Sequence, residues 1–296
     1  MLFQHEAKTR AVKFRSLLIW PILALAWLPL APAASGRALP SVPASVLVPV
    51  ARFRFDAGAP LLAPAGVATD GSLCVGTVDG YVHSLSADGS YLWSHSVHGA
   101  VTRRPLFAGQ LWYVATSAER VYALTREGAL YWVFKPPSPI TSELAADAAG
   151  TVFFVGADRY LYGVSAHGGV TLRTALGEPR SGPESGPDGA VWAVNQAGSV
   201  LRVRAQEVRR YGPELKPEFD FPDLETVRDP DGHQWRGRSD GVLEFRVAAG
   251  AEPNLLTLTS SALLAPVWSA RSHYAVLSAR SGLVFALEPI SVHPKP

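Results

Sequence analysis

A pattern that recurs about every 40 residues constrains the fold of this chain more than any other feature of its sequence. Each of six copies contains a short apolar run, and the central residues of these runs are Val82, Val121, Leu161, Val200, Val242 and Val284. Successive centres lie 39, 40, 39, 42 and 42 residues apart, and a second apolar residue follows each centre by three positions. Self-similarity at a period of this length indicates a repeat protein, in which one small structural unit is copied along the chain.

The composition of each repeat indicates β-strands. Before the central run comes another apolar run that a turn opens, as in "DGSLCVGT" at 70–77 and "AGTVFFVG" at 149–156. After it come a glycine turn and a last run such as "YLWSHS" at 91–96, and a further strand opens the next repeat. Aromatic and β-branched residues between Gly, Asp and Asn are typical of strands joined by hairpin turns. The sequence therefore predicts an all-β fold, a six-bladed β-propeller whose blades are four-stranded antiparallel sheets.

The two ends of the repeat array predict how the ring closes. The sixth repeat ends at "FALEPISVHPKP" without a last strand, and "VLVPVARFRF" at 46–55 is a strand without a repeat of its own. Pairing the two would bury two open sheet edges, so we expect the N-terminal strand to close the ring. The expected organisation is a signal peptide at 1–33, a linker at 34–45, the propeller at 46–290 and a C-terminal tail at 291–296.

The first 33 residues have the features of an export signal. A basic head with four Lys or Arg residues precedes the apolar segment "SLLIWPILALAWLPL" at 16–30, and "APAA" at 31–34 offers a cleavage site between small residues. The apolar segment is short for a membrane-spanning helix and contains two prolines. We therefore expect export to the periplasm or cell envelope, with a mature chain that begins near Ala34. The alternative is an uncleaved signal, through which alone we expect contact with a membrane.

Charge and cysteine content exclude several classes of partner and site. The full chain carries 27 basic and 25 acidic side chains, and removal of residues 1–33 takes away four basic and one acidic, leaving 23 − 24 = −1. The basic balance therefore belongs to the signal, and no nucleic-acid partner is expected. Cys74 is the only cysteine, which excludes an intrachain disulfide and a zinc site built from several cysteines. His95 and His98 fall on opposite faces of a strand, so no metal site is predicted.

A family resemblance adds to this interpretation. The stretch "DGSLCVGTVDGYVHSLSADGSYLW" at 70–93 resembles the PQQ-like repeat of bacterial β-propellers. That superfamily includes quinoprotein alcohol dehydrogenases and the propeller lipoprotein of the outer-membrane β-barrel assembly machine. The resemblance implies that an enzyme of the first kind would need eight blades, a calcium site and commonly a vicinal disulfide. Six repeats and one cysteine do not meet those requirements, so we expect no cofactor and no enzymatic activity. No cysteine near the cleavage site could carry the lipid that the second kind of protein has.

Function is then expected on the loops. Loops between the second and third strands of the blades, together with the links between blades, carry charges of both signs, which are typical of a protein contact surface or, alternatively, of ordinary solubility. The candidate partner-binding residues are Arg103, Arg104, Glu119, Arg120, Asp158, Arg159, Asp240 and Arg280. We predict a monomer that serves as a scaffold for protein partners in the cell envelope. The alternative is an enzyme or small-ligand binder that uses the central channel, although the innermost runs are mostly apolar or small.

Overall fold

The computed structural model of the protein describes residues 46–186, 188–204, 207–213, 226–248 and 250–292. Over these ranges all regular structure is β-strand, and they contain no helix that could cross a membrane. The strands form six four-stranded antiparallel sheets, as the spacing of the repeats predicts. The expected signal peptide at 1–33 and linker at 34–45 lie outside the described residues, as does most of the expected tail.

Each sheet is one blade, and in five of the six blades the strands follow the order of the chain from the centre outward. The first strand that the structure describes is β1 (Val46–Asp56). Blade I contains β2 (Gly66–Val67), β3 (Leu73–Gly76), β4 (Tyr81–Leu85) and β5 (Tyr91–Ser96). Blade II contains β6 (Leu106–Ala108), β7 (Leu111–Thr116), β8 (Arg120–Thr125) and β9 (Leu130–Phe134). Blade III contains β10 (Ala145–Ala146), β11 (Val152–Val155), β12 (Tyr160–Val164) and β13 (Val170–Ala175).

The second half of the ring repeats this order. Blade IV contains β14 (Glu184–Ser185), β15 (Val191–Val194), β16 (Val200–Arg204) and β17 (Glu207–Tyr211). Blade V contains β18 (Thr226–Arg228), β19 (Gln234–Gly237), β20 (Val242–Arg246) and β21 (Asn254–Thr257). Blade VI contains β22 (Val267–Ser269), β23 (Tyr274–Ser278) and β24 (Leu283–Val292). First strands of neighbouring blades contact one another, as β2 does with β6 and β22, so these strands surround the central channel.

Strand β1 closes the ring. It pairs antiparallel with β24 and is the outermost strand of blade VI, in the order β1-β24-β23-β22. Phe53 and Phe55 of β1 are buried in a hydrophobic cluster with Leu73 and Leu85 of blade I. The first strand of the chain therefore joins the last blade to the first, and the predicted closure by the N-terminal strand is confirmed.

Aromatic side chains pack on turn glycines where blades meet. Trp93, on the last strand of blade I, lies against Gly128 in a turn of blade II, where an added Cβ would come within 2.5 Å of the indole. The indole N–H also donates to the carbonyl oxygen of Arg126 at 2.7 Å. Trp132 repeats this arrangement one blade later, against Gly168. Small turn residues thus let the outer strands of blades I and II dock on the next blade.

Candidate interaction face

The links between blades and the turns between second and third strands lie at one end of the propeller, because successive antiparallel strands run in opposite directions. We call this end the link face, and the opposite end, which holds the other turns within the blades, the turn face. Isolated bridges hold five of the links against the turn of the blade that they enter, for example Val101 against Thr116 and Ile140 against Gly156. At those five blades the described loops of the link face are joined by backbone hydrogen bonds.

The structure places the eight predicted partner-binding residues on this face. Arg103 and Arg104 lie in the link into blade II, and the other six lie in the turns between second and third strands: Glu119 and Arg120 in blade II, Asp158 and Arg159 in blade III, Asp240 in blade V and Arg280 in blade VI. Their common location follows from the repeat, because a turn position in one blade is the same turn position in every other blade. Their role in binding stays a prediction.

Two of these residues hold a backbone conformation that glycine usually supplies. The φ angle is 57° at Glu119 and 65° at Arg159, in the left-handed region. The corresponding turns of the other blades have glycine there, namely Gly80, Gly198, Gly241 and Gly282. A side chain in this conformation costs free energy, of the order of 1 kcal/mol or more. Gln110 and His273, in turns of the turn face, adopt the same conformation. Blades II and III therefore keep charged side chains at positions where they cost stability.

Some of the charged residues bind within the propeller. The Arg103 guanidinium donates from Nε to the carbonyl oxygen of Ser142 at 3.0 Å and from a terminal nitrogen to that of Thr141 at 3.1 Å. It thereby ties the link into blade II to the link into blade III. Arg159 forms an ion pair with Glu178 of the next link. These arginines hold the face in shape, which leaves them less free for a partner.

Asp158 is the centre of a second internal network. Its carboxylate accepts a hydrogen bond from the Tyr162 hydroxyl at 2.5 Å and faces an Arg173 nitrogen at 3.4 Å. Burial alone would raise the pKa of Asp158, but the hydrogen bonds from Tyr162, its own turn and Arg173 outweigh it and lower the pKa. The Arg173 guanidinium also lies 3.8 Å from the centre of the Tyr160 ring. Asp158 is thus held charged within blade III.

Other charges on the link face stay open. The side chains of Glu119, Arg120 and Arg280 form no hydrogen bond or ion pair with any residue that the structure describes. Arg280 is exposed, and the two residues of blade II are partly exposed. Open charges of both signs on a rigid loop layer can attract and orient a partner of complementary charge.

A cavity lies on the link face beside Asp240. Its volume is about 490 Å³, and it is lined by residues of blade V and of the link into blade VI: Arg236, Gly237, Arg238, Glu244, Leu263 and Ala265. Arg238 donates to Asp240 at 2.8 Å and to Glu244 at 3.3 Å, so this rim is a local ion-pair network. The face therefore combines open charges on blades II and VI with a recess on blade V.

Comparison with known proteins adds the family. Residues 33–211 match a family model described as outer membrane protein assembly factor BamB, and this match spans more than half of the chain. The chain belongs to the BamB family. No curated protein matches the sequence.

Two solved structures are also similar to this chain. The chain is similar to BamB from Moraxella catarrhalis, with 15% identity, a TM-score of 0.49, and coverage of 84% of this chain and 92% of that one. It is also similar to the WD40 domain of Pan2 from Neurospora crassa, with 12% identity, a TM-score of 0.57, and coverage of 80% and 91%. Likeness to the WD40 domain at this identity shows a shared propeller fold alone.

Sequence reasoning missed one feature of this BamB-family propeller, at the inner end of the link face. The Arg104 backbone N–H donates to the Glu143 carboxylate at 3.0 Å, just before β10. Burial raises the pKa of Glu143, although the hydrogen bond from Arg104 and the charges of Arg104 and Arg103 oppose the shift. Burial also raises the pKa of Glu184, on the innermost strand of blade IV, to about 7, with the charge of Arg104 opposing it.

An alignment of the innermost strands of the blades could have revealed this cluster from the sequence. Glu184 stands where the pairing register puts Gly66 in blade I, Leu106 in blade II and Ala145 in blade III. A carboxylate among small and apolar residues at one repeat position is an exception that an alignment of the six repeats would have exposed. The expectation that the innermost runs are mostly apolar or small therefore overlooked Glu184.

Proposed function

We propose that this protein is an exported, non-catalytic scaffold that binds protein partners of the cell envelope through its link face. Two findings support the proposal. The family is described by the name of an outer membrane protein assembly factor, and the first 33 residues have the composition of a cleavable signal. A scaffold needs a rigid body with an adaptable surface, and a closed propeller with loop turns at one end supplies both.

The observation that carries the proposal is the charge at left-handed turn positions. Glu119 and Arg159 occupy sites where four of the six equivalent turns have glycine. Stability alone would favour glycine there, since it adopts this conformation without steric cost. Arg159 uses its charge in the ion pair with Glu178, whereas the Glu119 side chain has no hydrogen-bond or ion-pair partner among the described residues. The open charge of Glu119, with those of Arg120 and Arg280, therefore supports a use of this face in binding.

A matched pair of double variants tests the link face. Glu119→Lys with Arg280→Glu reverses two open charges on the link face, and Glu127→Lys with Arg271→Glu reverses two exposed charges on the turn face. Both leave the net charge unchanged. We expect the link-face variant to lose capture of partners from envelope extract of the source organism by about tenfold or more, because like-charge juxtaposition at an interface costs several kcal/mol.

The turn-face variant is expected to capture the same partners as the unmodified protein. Circular dichroism and the unfolding temperature establish that both variants keep the propeller. Equal capture by the two variants, at several salt concentrations, would refute the link face as the binding surface.

The cluster of Arg104, Glu143 and Glu184 favours a second candidate, a small-ligand site at the mouth of the central channel. A carboxyl with a pKa of about 7 beside a guanidinium can bind a polar ligand in either protonation state. A thermal-shift screen of small polar molecules tests it. We expect any genuine channel ligand to raise the unfolding temperature of the unmodified protein and not that of Glu184→Gln.

A further inference from the structure

Blades III and V share a buried aspartate at the same position of the same turn, on the turn face. Asp147 and Asp229 each begin the turn between the first and second strands of their blade. Asp147 Oδ1 accepts from the N–H groups of Ala149 at 3.0 Å and Thr151 at 2.9 Å, two and four residues later. Asp229 Oδ1 accepts from the N–H groups at the same two offsets, at 3.1 and 2.9 Å. One carboxylate oxygen therefore builds the turn in both blades.

The second oxygen is satisfied in blade V. Asp229 Oδ2 faces His233 Nδ1 at 2.8 Å and accepts from the indole N–H of Trp235 at 3.2 Å. The Asp229 side chain is 1% exposed, and both of its oxygens are bound. Asp231 lies close enough to Asp229 and His233 for the three to hold a metal ion. The hydrogen bonds already account for the buried carboxylate, so we assign this cluster to the turn.

In blade III the same two donors are missing. The residues four and six positions after Asp147 are Thr151 and Phe153, where blade V has His233 and Trp235. Among the residues that the structure describes, none donates a hydrogen bond to Asp147 Oδ2. Asp147 as a whole is 8% exposed, and its Oδ2 is not one of the fully buried polar atoms, so a small ligand can reach this oxygen. Phenylalanine has no polar hydrogen to give, and the Thr151 hydroxyl does not reach this oxygen.

A cavity lies beside Asp147, Thr151 and Phe153. Its volume is about 220 Å³, and the residues that determine its chemistry are Asp147, Thr151, Phe153, Thr171, Leu172 and Val203. It lies between blades III and IV and is mostly apolar, with one carboxylate in its wall. That volume gives room for roughly seven water-sized groups.

We infer that this cavity binds a small organic cation that carries N–H donors and a short apolar chain. The ligand would give Asp147 what His233 and Trp235 give Asp229 within the chain. A carboxylate in a mostly apolar wall forms its strongest hydrogen bonds with a cationic N–H donor. The walls formed by Phe153, Leu172 and Val203 favour a hydrocarbon chain behind the charge. Because the cavity lies on the turn face, the inference is independent of the function proposed for the link face.

Titration by nuclear magnetic resonance with n-butylammonium tests the inference. The amides of Ala149 and Thr151 donate to Asp147, so their resonances report on its carboxylate. We expect saturable shifts with n-butylammonium. Butan-1-ol, which lacks the charge, and tetramethylammonium, which lacks N–H donors, should cause none at the same ionic strength.

Asp147→Asn keeps an oxygen for the turn and removes the charge. We expect it to weaken n-butylammonium binding by about tenfold or more, because hydrogen bonds to charged groups contribute more than neutral ones. Glu127→Gln removes one exposed charge from the same face and should leave binding unchanged. Should Asp147→Asn fail to fold, Thr151→His supplies the imidazole of blade V and should fill the cavity and abolish the shifts. Absent shifts with n-butylammonium, equal shifts with butan-1-ol, or unchanged binding in the folded variants would overturn the inference.

Discussion

The left-handed backbone at Glu119 costs stability, while the side chain at this position places a charge on the surface. The φ of 57° at Glu119 is left-handed, whereas the preceding Ala118 is not in that region. Glycine at position 119 would remove the steric cost but would add entropy to the unfolded chain, so the two effects partly cancel. The steric term is the larger of the two.

We expect Glu119→Gly to raise the free energy of unfolding by up to about 1 kcal/mol. The matched control, Ala118→Gly, adds the same entropy to the unfolded chain without relieving strain and should lower it by about 0.5–1 kcal/mol. Urea unfolding measures both. A loss of stability in Glu119→Gly as large as that in Ala118→Gly would show that the left-handed turn carries no strain.

Burial of the His83 ring nitrogens in β4 makes the stability of the protein depend on pH. Neither of these nitrogens has a hydrogen-bond partner among the residues that the structure describes, and the ring packs near those of Tyr81 and of Phe55 in the closing strand. Burial lowers the pKa of His83 from 6.5, while the charge of Asp79 opposes the shift. The unfolded chain therefore binds the proton more readily than the folded one. The stability that neutral His83 provides is complete above the unfolded pKa and is lost as the pH falls below about 6.5.

Replacement of His83 should flatten this dependence. We expect the free energy of unfolding of the unmodified protein to fall between pH 7 and pH 5 more steeply than that of His83→Leu. His98→Gln, which changes an exposed histidine of the neighbouring loop, should keep the original slope. Identical slopes for the unmodified protein and His83→Leu would contradict a neutral imidazole at the partly buried His83.

At the scale of elements, turn glycines set how closely blades approach. Gly128 and Gly58 both have left-handed φ angles, of 86° and 77°. A Cβ on Gly128 would collide with the Trp93 indole, whereas one on Gly58 would meet no atom within 4 Å. Gly128→Ala should therefore cost about 1–3 kcal/mol more than Gly58→Ala, which isolates the clash from the backbone strain. Equal losses in calorimetry would mean that blades I and II can separate freely at this seam.

The closing strand should contribute through its buried aromatic residues. Phe53 is 6% exposed in the cluster that joins blades VI and I, while Val50 of the same strand is 41% exposed. We expect Phe53→Ala to lower the free energy of unfolding by about 3–5 kcal/mol and Val50→Ala to change it by less than about 0.5 kcal/mol. A small effect of Phe53→Ala would mean that the ring is stable without β1.

The strands were largely predictable from the sequence because the same pattern of apolar residues and turn glycines recurs in every repeat. Apolar alternation and turn glycines recur at a fixed period, so six copies reinforce one another, and the unpaired strand at 46–55 fixed the closure. Residues that depart from the repeat pattern were harder to recognise from the sequence. Thr151 and Phe153 look ordinary until the fold aligns them with His233 and Trp235, and the cavity beside Asp147 depends on that comparison. The internal bonds of Arg103 join two links 39 residues apart, which no local pattern encodes.

At the scale of the whole molecule, we expect export of the chain to precede its function. Protein taken from the envelope fraction should begin near Ala34, because the basic head, the short apolar segment and "APAA" together favour cleavage there. Amino-terminal sequencing measures this. Chains that still begin at Met1 would indicate an uncleaved anchor.

Site-specific photo-crosslinking in cells tests the central claim, that the link face binds the partner. A photoreactive phenylalanine derivative replaces Arg280 on the link face or Arg271 on the turn face, both of which are exposed turn residues of blade VI. The account predicts discrete adducts with envelope proteins from position 280 and none from position 271. Adducts from position 271 alone, or equal adducts from both positions, would contradict it.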